Sequence, residues 1–311
     1  MKKLLFSLVI ILSSVSYSQE SVDLANVYFR TSPANSFDNP FGEKRHFNMY
    51  VVDAKLPIVL NDKNIFILGL EYNHQTITTY PNPFGVYLDY TMSSSMLQLG
   101  LEHKWNNKSK MLFMAIPRYN TDFNKTTNAP FQLGGLALGT TKRSENFEWK
   151  YGAYYNGEFF GPMLVPLFGF NWKINDQMRF KLVIPLNFEY SYQPKSWFRT
   201  GVRFEGVNGS YQAQLVDGQN WSDYYMDRAD NNVWAFTEFH IGKNVWFHLK
   251  AGHSVLRKYR RFSPDDKMSL KLGPVNIGDS RNFDNPKDIP SLIDNGYSFE
   301  ARFIYRLPLD K

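Results

Sequence analysis

Met178-Arg179-Phe180-Lys181-Leu182-Val183-Ile184-Pro185-Leu186-Asn187-Phe188-Glu189-Tyr190-Ser191 is the stretch whose pattern decides the fold. Its even positions are Met178, Phe180, Leu182, Ile184, Leu186, Phe188 and Tyr190, and its odd positions include Arg179, Lys181, Asn187, Glu189 and Ser191. A period of two sends these sets to opposite faces of an extended strand, whereas a helix would need apolar spacings of three and four. One face suits lipid; the other suits water or a packed polar interior. The length fits one strand tilted across a membrane. Pro185 removes a ladder donor, as do Pro117 and Pro166 in similar segments, so bulges or bends are expected at all three.

The design recurs. Tyr297, Phe299, Ala301, Phe303, Tyr305 and Leu307 alternate with Ser298, Glu300, Arg302, Ile304 and Arg306. Leu97, Leu99 and Leu101 alternate with Gln98, Gly100 and Glu102, and Phe66, Leu68, Leu70 and Tyr72 with Ile67, Gly69, Glu71 and Asn73. Short polar turns at Asn61–Asn64, Asn106–Ser109, Arg143–Asn146, Asn175–Gln177 and Gly242–Asn244 alternate with mostly longer segments near 31–42, 79–88, 122–130, 191–230 and 258–295. Membrane barrels have short periplasmic turns and longer outer loops. The pattern predicts an all-β fold, a transmembrane antiparallel up-and-down β-barrel of twelve strands. These lie at roughly 21–30, 43–59, 64–78, 89–105, 110–121, 131–142, 147–157, 162–174, 178–191, 231–242, 245–257 and 296–308. Both ends then face the periplasm. Trp197–Val207 and Ser210–Val216 flank Asn208-Gly209, a strong hairpin signal. They form either a hairpin inside an outer loop or two further spanning strands, which leaves fourteen as the alternative.

Composition agrees with this class. Aromatics make up 17% of the 311 residues, as girdles at the membrane rims require, and Cys is absent, so neither a disulfide nor a lipidated cysteine is available. Met1-Lys2-Lys3, the apolar run Leu4–Leu12 and Ser16-Tyr17-Ser18 before Gln19 read as a signal peptide over 1–18, with the barrel domain over 19–311. The apolar run is too short to span a bilayer, and no other is long enough for a membrane helix. The net charge is +6 and falls to about +4 without Lys2 and Lys3, too weak to argue for a nucleic-acid partner.

Several phrases resemble a family of uncharacterised outer-membrane barrels found mainly in Bacteroidota, the domain of unknown function DUF6268. They are Lys55-Leu56-Pro57-Ile58-Val59-Leu60-Asn61-Asp62-Lys63 and Pro166-Leu167-Phe168-Gly169-Phe170-Asn171-Trp172-Lys173-Ile174-Asn175-Asp176. Ile184-Pro185 with Glu189-Tyr190, then Gly201-Val202-Arg203-Phe204 and Gly209-Ser210-Tyr211, extend the resemblance from about residue 45 to the end. It implies an outer-membrane barrel and carries over no functional residues. The chain departs from many such barrels in ending Tyr305-Arg306-Leu307-Pro308-Leu309-Asp310-Lys311, with no terminal aromatic.

The expected inward faces carry Glu71, Glu102, Lys104, Glu148, Lys150, Arg179, Lys181, Glu189, Glu300, Arg302 and Arg306. Opposite charges there can close a lumen as an ion-pair network or line a pore and select ions. His74 and Thr76 continue the lipid-facing row after Tyr72 and resemble the His-x-Ser arrangement of outer-membrane phospholipase A. Thr stands in place of Ser, the following Gly is missing, and no orienting Asn can be assigned from the sequence. Arg257-Lys258-Tyr259-Arg260-Arg261, at the start of the longest loop, is expected to be a solvated charge run, with lipopolysaccharide phosphates as the functional alternative. Asp217, Asp223, Asp227 and Asp230 match no calcium-loop spacing, and the six His form no metal motif, so neither a metal nor a cofactor is expected. The first expectation is therefore a non-enzymatic barrel with a mostly filled interior, a structural or accessory subunit of an envelope assembly. Its partners would be outer-membrane lipid, lipopolysaccharide and other outer-membrane proteins. A narrow charge-lined channel or transporter comes second, and a lipid hydrolase using His74 and Thr76 third.

Overall fold

Asparagines set the short turns. Asn61 Oδ1 accepts the backbone N–H of Lys63 and of Asn64, both at 3.0 Å. Asn106 does the same for Lys108 and Ser109 at 2.8 and 3.0 Å, and Asn175 for Gln177 and Met178 at 2.9 and 2.8 Å. A side-chain oxygen reaching N–H groups two and three residues on replaces partners that a tight reversal removes. The computed structural model describes residues 21–36, 44–79, 89–122, 130–217, 220–281 and 292–308. In it these reversals join β2 (Lys44–Asn61) to β3 (Asn64–Thr79), β4 (Asp89–Lys104) to β5 (Ser109–Thr121), and β8 (Gly161–Lys173) to β9 (Met178–Ile184). The segment read as a signal peptide, 1–18, lies outside the described residues.

The remaining strands are β1 (Ser21–Ser36), β6 (Phe131–Ser144), β7 (Phe147–Glu158), β10 (Asn187–Lys195), β11 (Phe198–Asp217), β12 (Asn220–Gly242), β13 (Val245–Phe262), β14 (Met268–Leu272), β15 (Val275–Asp279) and β16 (Tyr297–Pro308). Each strand from β1 to β13 pairs antiparallel with the next, β13 pairs with β16, and β16 closes onto β1. Fourteen strands thus form a closed ring. β14 and β15 are an extra hairpin, laid parallel to β8 at Met163 and Leu164.

The expectation of twelve strands is corrected to the alternative of fourteen. The stretch Met178–Ser191 is a hairpin, not one strand: β9 ends at Ile184, and Val183 faces Asn187 across the reversal. That pairing keeps odd positions on one face in both arms, so the alternation runs through the turn unbroken. Conversely, Asn208-Gly209 does not turn. A tight hairpin needs φ above zero there, but both residues stay extended in β11, paired with Ala229 and Arg228 of β12. Segment 191–230, expected as an outer loop, is therefore mostly wall and hairpin.

Of the bulges or bends expected at three prolines, Pro185 sits in the β9–β10 reversal, whereas Pro117 and Pro166 bring no register shift. Register is kept through Pro117, although the β4–β5 ladder lapses between Met96–Arg118 and Leu99–Ala115. Pro166 pairs with Ala153 without a shift, and the β8–β9 ladder stops at Phe168, so Pro166 has an edge on that side. A bulge does form between β12 and β13, where Leu256 adopts φ 57°. It flips the facing of β13, so that Ser254 and then Arg257 and Tyr259 are buried while Val255 and Leu256 are exposed. The run Arg257–Arg261 is thus strand, not solvated loop.

Outside, an apolar belt includes Val27, Phe29, Leu70, Leu99, Phe113, Leu133, Phe168, Val202, Val233, Leu249 and Phe303, all exposed. Aromatic rings run from strand to strand along it, from Phe147 to Phe170, Phe180 and Phe188, with centroids 5.1–5.5 Å apart. Such pairs add about 0.5–1.5 kcal/mol each beyond burial. Trp105, Trp172 and Trp197, near the short turns, are exposed as a girdle requires.

The loop end is closed from within. β11 and β12 outrun their neighbours, and their tips bend across the mouth to the opposite wall. Gln212 pairs with Thr121 of β5, six places round the ring from β11. Ser210 is held by Glu158, Gln132 and Asn120, and the Gln214 N–H donates to Asp122 at 2.9 Å. Under this strap, Tyr211 and Met226 pack with Phe47, Met49, Ile77, Met92, Tyr259 and Ile293 in an apolar seal.

Fourteen strands place the β10–β11 turn at the same end as Asp62, whereas twelve would leave it in an outer loop. A cysteine at Ser196 in this cysteine-free chain is expected to react with an impermeant maleimide from the same side as a cysteine at Asp62. Labelling from opposite sides would restore the twelve-strand arrangement.

Candidate functional site: a charged lumen beneath a capped mouth

Every one of the eleven charges Glu71, Glu102, Lys104, Glu148, Lys150, Arg179, Lys181, Glu189, Glu300, Arg302 and Arg306 stands on the face opposite the apolar belt. Among the described residues their ion pairs gather on two sides of the ring. On the β2–β8 side the contacts are short-range: Lys110 to Glu102 at 3.0 Å, Lys150 to Glu148 at 3.9 Å, and Lys55 to Asp53 at 3.6 Å. On the β10–β13, β16 and β1 side they form a continuous lattice.

The centre of that lattice is a pair of buried carboxylates, Glu300 and Glu205. Arg30 reaches Glu300 at 2.6 Å and Glu205 at 2.9 Å; Lys250 reaches Glu205 at 2.7 Å and Glu300 at 3.0 Å. Arg302 adds a contact to Glu300 at 2.8 Å and Arg203 one to Glu205 at 3.1 Å. Toward the turn end, Arg199 bridges Glu189 and Glu238, and Arg306 joins Glu238 at 3.1 Å to Asp23. Trp234 lies under Arg30 and Lys250, with its ring centroid 4.9 and 5.5 Å away. Toward the loop end, Asp230 takes Arg257 at 3.0 Å and Arg228 at 3.4 Å. Glu189, Glu205, Glu238, Glu300 and Asp230 each meet more than one cation, which offsets the cost of drawing charges from water.

Of this lattice, the sequence reading named Glu189, Glu300, Arg302 and Arg306 and missed Arg30, Arg199, Arg203, Glu205, Glu238 and Lys250. Arg30 and Lys250 were open to the same alternation, between Phe29 and Thr31 and between Leu249 and Ala251. Arg199, Arg203 and Glu205 were hidden because their strand read as loop.

A cavity of about 840 Å³ lies between this lattice and the strap, lined by Glu71, Arg118, Tyr154, Arg203, Glu205 and Arg302 among others. Nine Arg and Lys side chains line it against three carboxylates; Glu300, Asp230 and Asp279, just behind the lining, pair with Arg30, Arg228 and Arg281, and cations still outnumber acids.

Other candidates come apart. His74 Nδ1 lies 2.9 Å from Ser93 Oγ, its cross-strand neighbour, and no hydrogen bond among the described residues joins His74 to Thr76. Ser93 is 1% exposed, so it offers no accessible nucleophile. Arg257 donates to Asp230, Ser32 and Ser298 inside the barrel and is not an outward lipopolysaccharide clamp. Asp227 pairs with Arg281 at 2.9 Å and Asp230 with Arg257, which separates the aspartates by partner.

Removing Lys250 leaves Glu205 and Glu300 close together with less compensation. Lys250→Met is expected to lower the unfolding free energy in detergent by about 3 kcal/mol, and Lys250→Met with Glu205→Gln to lower it less. Equal losses in a denaturant titration would contradict the lattice.

In shape the chain is similar to the COG4313 outer membrane channel from Pseudomonas putida F1, with 7% identity, 94% of this chain and 100% of that one covered, and a TM-score of 0.48. It is similar to the TodX deltaS2S3 mutant monoaromatic hydrocarbon channel, with 10% identity, coverage of 97% and 94%, and a TM-score of 0.41. The translocator domain of the autotransporter NalP from Neisseria meningitidis follows, with 10% identity, coverage of 98% and 94%, and a TM-score of 0.38. Likeness at this level says nothing of what this lumen carries. No curated protein sequence matches the chain. The family model for the domain of unknown function DUF6268 matches residues 55–264, from the end of β2 to just past β13, and the chain belongs to that family.

Proposed function

We propose that this protein is a charge-lined channel or transporter of the outer membrane, selective for anions. The observation that carries the reading is the cavity of about 840 Å³ beneath the strap, with nine cationic side chains to three carboxylates in its lining. That volume is in the range of small-molecule sites. A barrel with a purely structural role needs no such space. The apolar seal and the strap fit the expected filled interior at the loop end only. The belt is covered by outer-membrane lipid in this reading, the strap faces outward, and export depends on the leader at 1–18.

Field strength along the route sets ion preference. In planar bilayers the protein is expected to give unitary chloride steps and an anion-selective reversal potential. Arg203→Glu with Arg302→Glu is expected to reduce the chloride-to-potassium permeability ratio by about threefold or more. Both residues line the cavity. Absence of steps from folded protein, or an unchanged ratio in the double variant, would overturn the reading.

A further inference from the structure

The barrel wall is low at one place. β9 has 7 residues and β10 has 9, between β8 with 13 and β11 with 20. Seven residues at ~3.3 Å each and a tilt of ~40° raise the hairpin ~18 Å, less than the ~25 Å apolar band of such barrels. The β8–β9 ladder ends at Phe168–Ile184, and the β10 side of β11 makes its last wall contact where the Gly206 N–H donates to Leu186 O at 2.8 Å. Beyond these points β11 leaves the wall to become the strap, and β8 gains β14 instead. Among the described residues no strand pairing joins β15 to β11.

The cavity reaches this low place. Pro185, Leu186, Val207, Gly209, Gly273 and Pro274 line it together with the lumen residues Arg203 and Arg302. One continuous space therefore touches the lattice, the top of the β9–β10 turn and the tip of the β14–β15 hairpin. Its rim carries exposed apolar side chains, Ile184 at 53%, Leu256 at 68%, Val275 at 55% and Ile277 at 44%, beside the exposed polar Asn187, Asn276 and Lys258. Lys271, half-buried, and Lys258, exposed beside Leu256, line the same space, and Arg203 and Arg302 stand further in.

We propose that this gap is a lateral portal through which an amphipathic anion, a hydrocarbon tail bearing a carboxylate, passes between the outer leaflet and the lumen. The tail stays in contact with lipid and the apolar rim while the headgroup meets the cations inside. A sideways route is the physical complement of a mouth shut by the strap. The inference rests on the channel reading and gives it a substrate class and an entry.

The test uses folded protein in lipid nanodiscs and a twelve-carbon carboxylic acid with a terminal diazirine. After photolysis, label on peptides holding 184–187, 206–209 and 273–276 is expected to exceed that on other belt segments by about tenfold. Gly209→Trp is expected to cut it by about fivefold, since no atom lies within 4 Å of where a Cβ at Gly209 would sit and the indole would enter open space. Even labelling along the belt, or undiminished labelling in folded Gly209→Trp protein, would overturn the portal. Equal labelling by the corresponding neutral alcohol would overturn its preference for anions. If Gly209→Trp fails to fold, the wild-type map with competition by unlabelled dodecanoate decides alone. Chloride steps from the same wild-type preparation keep the two readings apart. Steps without focused label sink only the portal; focused label without steps sinks the channel.

Discussion

Hydrocarbon offers no hydrogen-bond partner to a backbone N–H or C=O, so each of these groups in a membrane strand must find one within the protein. Closure of the ring is the answer here, with β16 laid against β1 from Ser21–Pro308 to Thr31–Phe299. Once the ring is closed, the pleat leaves only two destinations for a side chain. The belt of Leu, Phe and Val and the lattice of Arg, Lys and Glu are two sides of that one constraint.

The lattice works because its charges are shared. Glu300 meets Arg30, Lys250 and Arg302, and Glu205 meets Arg30, Lys250 and Arg203, so neither acid depends on a single partner. It gathers on the half of the wall that carries the strap, and the long ladder between β11 and β12 continues from one into the other. The opposite half supplies the docking polar groups, Asn120, Gln132 and Glu158, at the height where the strap lands. The lumen is thereby divided: an apolar seal at the loop end, open volume beneath it, and ion pairs below.

Closure is also where the wall is most economical. The β9–β10 hairpin completes the ring near the turn end but stops short of the height of its neighbours. The backbone groups it leaves on β8 are taken up in part by β14, with the Met268 N–H donating to Phe160 O at 2.7 Å and the Gly273 N–H to Leu164 O at 2.9 Å. Pro166 on β8 needs no ladder donor on an edge. β14 thus covers part of the edge that the low wall leaves on β8.

Alternation, a property of neighbouring residues in the chain, was enough to read which side chains face lipid and which face the lumen, and the asparagine turns were equally local. That is why Glu300 and Arg302, Leu99 and Phe303 could be placed from the amino-acid sequence. The number of strands could not, because a reversal that sets Val183 opposite Asn187 preserves parity, and Met178–Ser191 looks the same as one strand or as two. Asn208-Gly209 misled for the converse reason, since a local turn preference was overridden by the ladder with β12. Only the tertiary structure decided the strap, the sharing of Glu205 among three cations and the low wall. Each depends on a partner remote in the chain, as Gln212 depends on Thr121 and Ile184 on Phe168, and local pattern holds no record of such a partner.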